Sequence, residues 1–97
     1  MKGKISYKLE VKEYDMYTDE FTGTTYHVDA SNNQKAIALA KERLKSTVSS
    51  LNEWQQKPGI FTNWIGKVEV VLFKSESGKT FVIWSNKASV RPPKRRE

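Results

Sequence analysis

The sequence predicts an α+β fold: a single domain of ββαββ order, with a four-stranded, mainly antiparallel sheet and one helix packed on one face. Three observations predict it. Residues 4–12 alternate strictly between apolar and polar side chains. Residues 31–51 are the only long stretch with a helical period. Residues 67–74 and 79–85 are rich in β-branched and aromatic side chains and flank a short turn. Strands on either side of one amphipathic helix must share it as their cover.

The first strand follows from the alternation. Ile5, Tyr7, Leu9 and Val11 point one way, and Lys4, Ser6, Lys8, Glu10 and Lys12 the other, the pattern of a half-buried strand. Residues 13–23 interrupt it. Glu13, Asp15, Asp19 and Glu20 make the stretch acidic, Tyr14, Met16, Tyr17 and Phe21 make it aromatic and soft, and Gly23 suits a turn. Either a long hairpin tip or a strand continuing through a bulge satisfies this composition. Alternation resumes over 24–29, with Tyr26 and Val28 opposite Thr25, His27 and Asp29. The two strands form an antiparallel hairpin that feeds the helix.

In the helix, Ile37, Ala40, Leu44, Val48 and Leu51 recur at steps of three and four and share a face. Ser31 is placed to act as N-cap, and Gln34 three residues later completes a capping box worth on the order of 1 kcal/mol. Residues 52–66 then read as an unusually apolar loop containing Trp54, Pro58-Gly59, Phe61 and Trp64. The last hairpin is apolar on both faces, with Val68, Val70 and Leu72 on one and Val71 and Phe73 on the other. Such strands need cover on two sides. The 52–66 loop is expected to supply it by folding back; the alternative is a homodimer or partner surface built from Trp64, Val71, Phe73 and Trp84. Strand order stays open between a β-grasp-like arrangement and an antiparallel meander split by the helix. The domain is expected to span 1–86, followed by a flexible basic tail over 87–97.

Composition narrows the function classes. A chain of 97 residues buries roughly 60–68% of its unfolded surface, enough for a core without staples. There is no cysteine, which excludes a disulfide framework and any thiolate metal site. No apolar run reaches the ~18 residues of a membrane span, and the N-terminal alternation is unlike a signal peptide. A cytoplasmic protein is expected, without membrane partner or cofactor. The net charge is +6, and residues 1–86 carry only +2 of it, with 12 basic and 10 acidic side chains.

The basic tail points to a polyanion. Lys87, Arg91, Lys94, Arg95 and Arg96 are the candidate nucleic-acid contacts. No RNP motif, GXXG clamp, zinc finger or helix-turn-helix accompanies them. Tyr7 and Tyr26 alternate with Leu9, Val11 and Val28, and so read as core rather than as a stacking platform. The second candidate is a protein-binding surface at Tyr14, Tyr17, Asp19, Glu20 and Phe21, where aromatic and acidic side chains suit a basic groove on a partner. Lys35, Lys41, Glu42, Arg43 and Lys45 read as a mixed, solvated outer helix face. His27 is the only histidine; with Asp29 two positions on, it offers an acid–base pair, but an ordinary surface histidine is the stronger reading. With no G-x-S-x-G, P-loop or Rossmann fingerprint and no metal-ligand cluster, the expectation is a non-enzymatic binding protein: a nucleic-acid binder first, a protein-binding inhibitor or adaptor second.

Overall fold

Residues 5–55 and 64–91 are described in the computed structural model of this chain. They form β1 (Ile5–Asp15), β2 (Phe21–Ala30), α1 (Asn33–Gln55), β3 (Ile65–Glu76) and β4 (Lys79–Ser89). The ββαββ order and the four-stranded antiparallel sheet are as the sequence predicts. The strand order is β2-β1-β3-β4. The two hairpins join through their first strands, with Leu9 opposite Leu72 and Val11 opposite Val70.

Chain reach explains this order. β2 and β3 both run antiparallel to β1, so they run parallel to each other and need a long return. The 23 residues of α1 rise about 34 Å at ~1.5 Å each. The 10 residues of β2 cover about the same length at ~3.4 Å each. The helix therefore brings the chain back to the end of the sheet where β2 began.

Alternation decides the faces. Tyr7, Leu9, Val11, Val68, Val70 and Leu72 are buried under α1, together with Ala36, Ala40 and Leu44. Two alanines at the centre of the helical stripe let its backbone approach the sheet closely. Ala36, four residues before Ala40, joins the buried stripe although it is not among the apolar positions expected from the periodicity, and the helix starts slightly later than expected. Asn32, not Ser31, is the N-cap: its Oδ1 accepts from the Lys35 N–H at 2.9 Å, and the Ala36 N–H donates to the Asn32 carbonyl at 3.1 Å. Lys35 occupies the third helical position, so the Ser31–Gln34 capping box does not form.

Four elements are longer than their local patterns suggest. β1 continues through Tyr14 to Asp15 with an irregularity between them, and β2 already begins at Phe21. Gly23 lies within β2 opposite Lys12, not in a turn. Helix α1 runs past Leu51 to Gln55, so 52–55 is helix and not loop. Strand β4 extends to Ser89, and Val90 is buried with its N–H donating to the Gly66 carbonyl at 3.0 Å. Residues 87–91, expected at the start of a flexible tail, thus belong to the folded body.

The Gln55 side chain holds these extensions together. It is 2% exposed. Its Nε2 donates to the carbonyls of Ile65 and Arg91, both at 3.2 Å, and its Oε1 accepts from the Ile65 N–H at 2.6 Å. One buried amide joins the end of α1, the start of β3 and the chain just past β4, with its own oxygen and nitrogen both paired. The β3–β4 connection is a two-residue turn at Ser77 (φ 53°) and Gly78 (φ 77°), the positive-φ geometry of a type I′ hairpin.

Candidate functional site

Helix α1 covers one face of the sheet, and no described element covers the other. The uncovered face is set by parity. It carries Lys8, Glu10, Lys12 and Tyr14 from β1, and Phe21, Gly23, Thr25, His27 and Asp29 from β2. From β3 it carries Lys67, Glu69, Val71 and Phe73, and from β4 Val82, Ser85 and Lys87. The second-face cover expected from Phe61 lies outside the described residues. Of the other two residues given that role, Trp54 stands half-exposed on α1 and Trp64 is half-buried just before β3.

Lysines and rings pair on this face. Lys8 Nζ lies 5.0 Å from the centroid of Phe73, Lys12 Nζ 5.1 Å from Phe21, and Lys67 Nζ 4.6 Å from Tyr14. Tyr14 and Phe21 also pack together, with centroids 5.2 Å apart at 47°. Among the described residues these lysines rest on rings rather than on carboxylates; the ion pair between Lys74 and Glu76, at 3.7 Å, lies on the other side of β3, where Lys74 stands opposite Tyr7. The Tyr14 hydroxyl donates to Glu69 Oε1 at 3.0 Å. Desolvation, then that hydrogen bond and the negative charge of Glu69, raise the Tyr14 phenol above its ordinary value. The Lys8 and Tyr14 positions on β1 are about 20 Å apart at ~3.4 Å per residue. One aromatic station lies near each end of that span, Phe73 beside Lys8 and the Tyr14–Phe21 pair beside Lys12 and Lys67.

The expected site residues divide. Tyr14 and Phe21 are strand residues of the lysine-bearing face. Tyr17 is 76% exposed, and Asp19 and Glu20 are exposed beside it in the connecting turn. That turn is well braced. Asp15 Oδ1 accepts from the N–H groups of Tyr17 and Thr18 at 2.8 and 3.1 Å, and the Asp15 N–H donates to the Glu20 carbonyl at 2.8 Å. Lys87 is exposed on the uncovered face opposite Glu69, whereas Arg91 borders the helix side. The sheet therefore separates two cations that the sequence grouped. Lys94, Arg95 and Arg96 lie outside the described residues. His27 is exposed opposite Lys8 and makes no hydrogen bond to Asp29.

Tyr7 is core, as expected, and its hydroxyl donates to Asn33 Oδ1 at 2.7 Å. Tyr26 faces α1 and is capped by Arg43, 4.5 Å from its centroid. The rings of the uncovered face are different ones, and sequence reasoning missed them as a set. The available signal was parity: if β1 runs on past Lys12, Tyr14 falls on the lysine side.

On the helix side a groove of about 1070 Å³ opens between α1 and β4. Leu44, Val48, Trp84 and Ala88 supply its apolar lining, and Lys41, Lys45 and Arg91 its cations. Lys41 and Lys45, read from the sequence as part of a solvated face, therefore border a concavity. Among the described residues no three His, Asp or Glu side chains converge as metal ligands, and no helix is long and apolar enough to cross a membrane. No protein-family model, curated protein or solved structure matches the chain.

Proposed function

We propose that this chain is a non-enzymatic binding protein that takes single-stranded nucleic acid across the uncovered sheet face, with the basic residues after Val90 adding phosphate contacts. The observation that carries this reading is the three lysine–ring pairs on one open face. Net charge alone does not favour it. The described residues hold 11 of the 17 basic and 10 of the 11 acidic side chains, so local arrangement matters more than total charge.

Binding would proceed by exchange. Each lysine swings off its ring to a phosphate and gives up about 0.5–1 kcal/mol of exposed cation–π attraction. The vacated ring face accepts a base, and stacking contributes about 1–3 kcal/mol. The exchange is favourable before any phosphate contact is counted. The test is fluorescence anisotropy with labelled oligo-dT and oligo-U at several salt concentrations. Replacing Lys8, Lys12 and Lys67 together with Ala reduces the salt slope by about 2, at ~0.7 per lost phosphate contact. Phe21→Leu with Phe73→Leu weakens binding and leaves the slope unchanged. Ending the chain at Arg91 lowers both affinity and slope. Absence of binding by the full chain at low salt defeats the reading.

A second reading has its own support. Tyr17, Asp19 and Glu20 stand exposed on a braced turn, and Val82 on β4 is 57% exposed. An inhibitor or adaptor would present the turn, or the apolar β3–β4 hairpin, to a protein partner or a second copy. Its interaction would survive loss of residues 92–97 and fail with Tyr17→Ala for the turn, or with Val82→Lys for the hairpin.

A further inference from the structure

The groove between α1 and β4 is built differently from the uncovered sheet face. One wall is a single helical stripe in which Lys41 and Lys45 stand one turn apart, above Leu44 and Val48. The other is β4, whose Trp84 and Ala88 face inward. Arg91 stands at one end, and its main chain is held from both sides: its N–H donates to Asn52 Oδ1 at 2.6 Å and its carbonyl accepts from Gln55. Three cations border an apolar lining, against one acidic residue, Glu53. All three sit on backbone fixed by the helix or by these bonds, which limits the ordering cost of binding.

We infer that this groove docks an acidic, apolar-containing peptide segment of a partner protein. Carboxylates would lie on Lys41, Lys45 and Arg91, and an apolar side chain against Trp84, Leu44 and Val48. Charge complementarity selects the sign of the occupant, since a low-dielectric cleft lined by one sign of charge focuses the field. Size selects a peptide, since about 1070 Å³ is at the upper limit of small-molecule pockets. The lining selects protein over nucleic acid: a single tryptophan among aliphatic side chains offers no series of rings for bases, whereas an aromatic and an arginine around an aliphatic floor match the anchoring composition of protein interfaces. On the β4 edge the Lys87 N–H is taken by Asn86 Oδ1 at 2.9 Å, which disfavours an added strand at that position and leaves recognition there to side chains.

The test uses the full chain and a fluorescein-labelled synthetic peptide in which Asp and Glu alternate with Leu and Phe. A control peptide carries Asn and Gln in place of the acids. Saturable binding of the acidic peptide is expected, with little binding of the control. Lys41→Gln combined with Lys45→Gln should weaken it about five-fold, a change reachable by removing two rim charges. Lys8→Ala with Lys12→Ala and Lys67→Ala, on the opposite face, should leave it unchanged, which separates this inference from nucleic-acid binding there. Equal binding of both peptides, or an unchanged affinity in the Lys41/Lys45 variant of confirmed fold, overturns the proposal. So does displacement of the peptide by oligo-dT that depends on Lys41 and Lys45, which would assign the groove to nucleic acid.

Discussion

Replacing Gln55 with Leu tests whether one buried amide holds three elements together. The substitution keeps most of the volume and removes every hydrogen bond the side chain makes. Gln55 donates to two carbonyls and accepts from one N–H. At about 0.5–1.5 kcal/mol each, the three bonds contribute roughly 1.5–4.5 kcal/mol. The Ile65 N–H and the two carbonyls lose their partner at the same time, so a loss of about 3 kcal/mol is expected. For a domain of this size each kcal/mol moves the melting temperature by about 4–8 °C, so Gln55→Leu should lower it by roughly 10–25 °C. Urea denaturation gives the free energy directly, and amide hydrogen exchange at Ile65 reports the local effect. Gln55→Glu sharpens the test: it keeps the acceptor for Ile65 but turns a carboxylate toward two carbonyls, so it should recover stability as the pH falls and the acid protonates. Glu53→Gln, at an exposed neighbouring position, should stay within about 0.5 kcal/mol of the parent. A loss below about 1 kcal/mol for Gln55→Leu, or unchanged exchange at Ile65, would refute the account.

Three further outcomes follow from single features. The raised Tyr14 phenol favours the protonated form in the fold; its contribution is complete below the ordinary tyrosine value near pH 10 and is lost as the pH rises through the higher folded value. Ultraviolet difference titration against Tyr14→Phe should show the late phenol, and Glu69→Gln should move it back toward 10. Ser77 holds a positive φ before Gly78, and asparagine tolerates that conformation better; Ser77→Asn should raise stability by a few tenths of a kcal/mol in thermal denaturation. A Cβ at Gly66 would stand 3.2 Å from Met16 Cα, beside the Met16 N–H that donates to the Trp64 carbonyl at 2.8 Å. Gly66→Ala should therefore destabilise by about 1 kcal/mol or more and speed exchange at Met16, whereas Gly23→Ala, whose Cβ would meet Phe21 at an ordinary 3.8 Å, should not strain the backbone.

Periodicity is a local property, and what depends on it alone was legible in the chain. The alternation of Ile5, Tyr7, Leu9 and Val11 places them on the buried face, and the spacing of Ala40, Leu44 and Val48 orients the helix. The Ser77–Gly78 turn was visible in the same way. Where elements end is not local. Tyr14 and Asp15 continue β1 because β3 pairs with them, and the helix reaches Gln55 because its amide has three partners at the strand ends. The candidate site depends on both. Parity put Lys8 and Lys12 on one side of β1, but only the pairing of β1 with β2 and β3 set Phe21, Tyr14 and Phe73 beside those lysines and Lys67. Lys87 and Arg91, close in sequence, ended on opposite sides because β4 stops at Ser89 and the Arg91 main chain is drawn to the helix by Asn52 and Gln55. The sequence by itself determined which side chains share a face within each element. The tertiary structure decided which faces meet, because that choice rests on strand order and on where a 23-residue helix crosses the sheet, and neither is encoded in any single stretch of the chain.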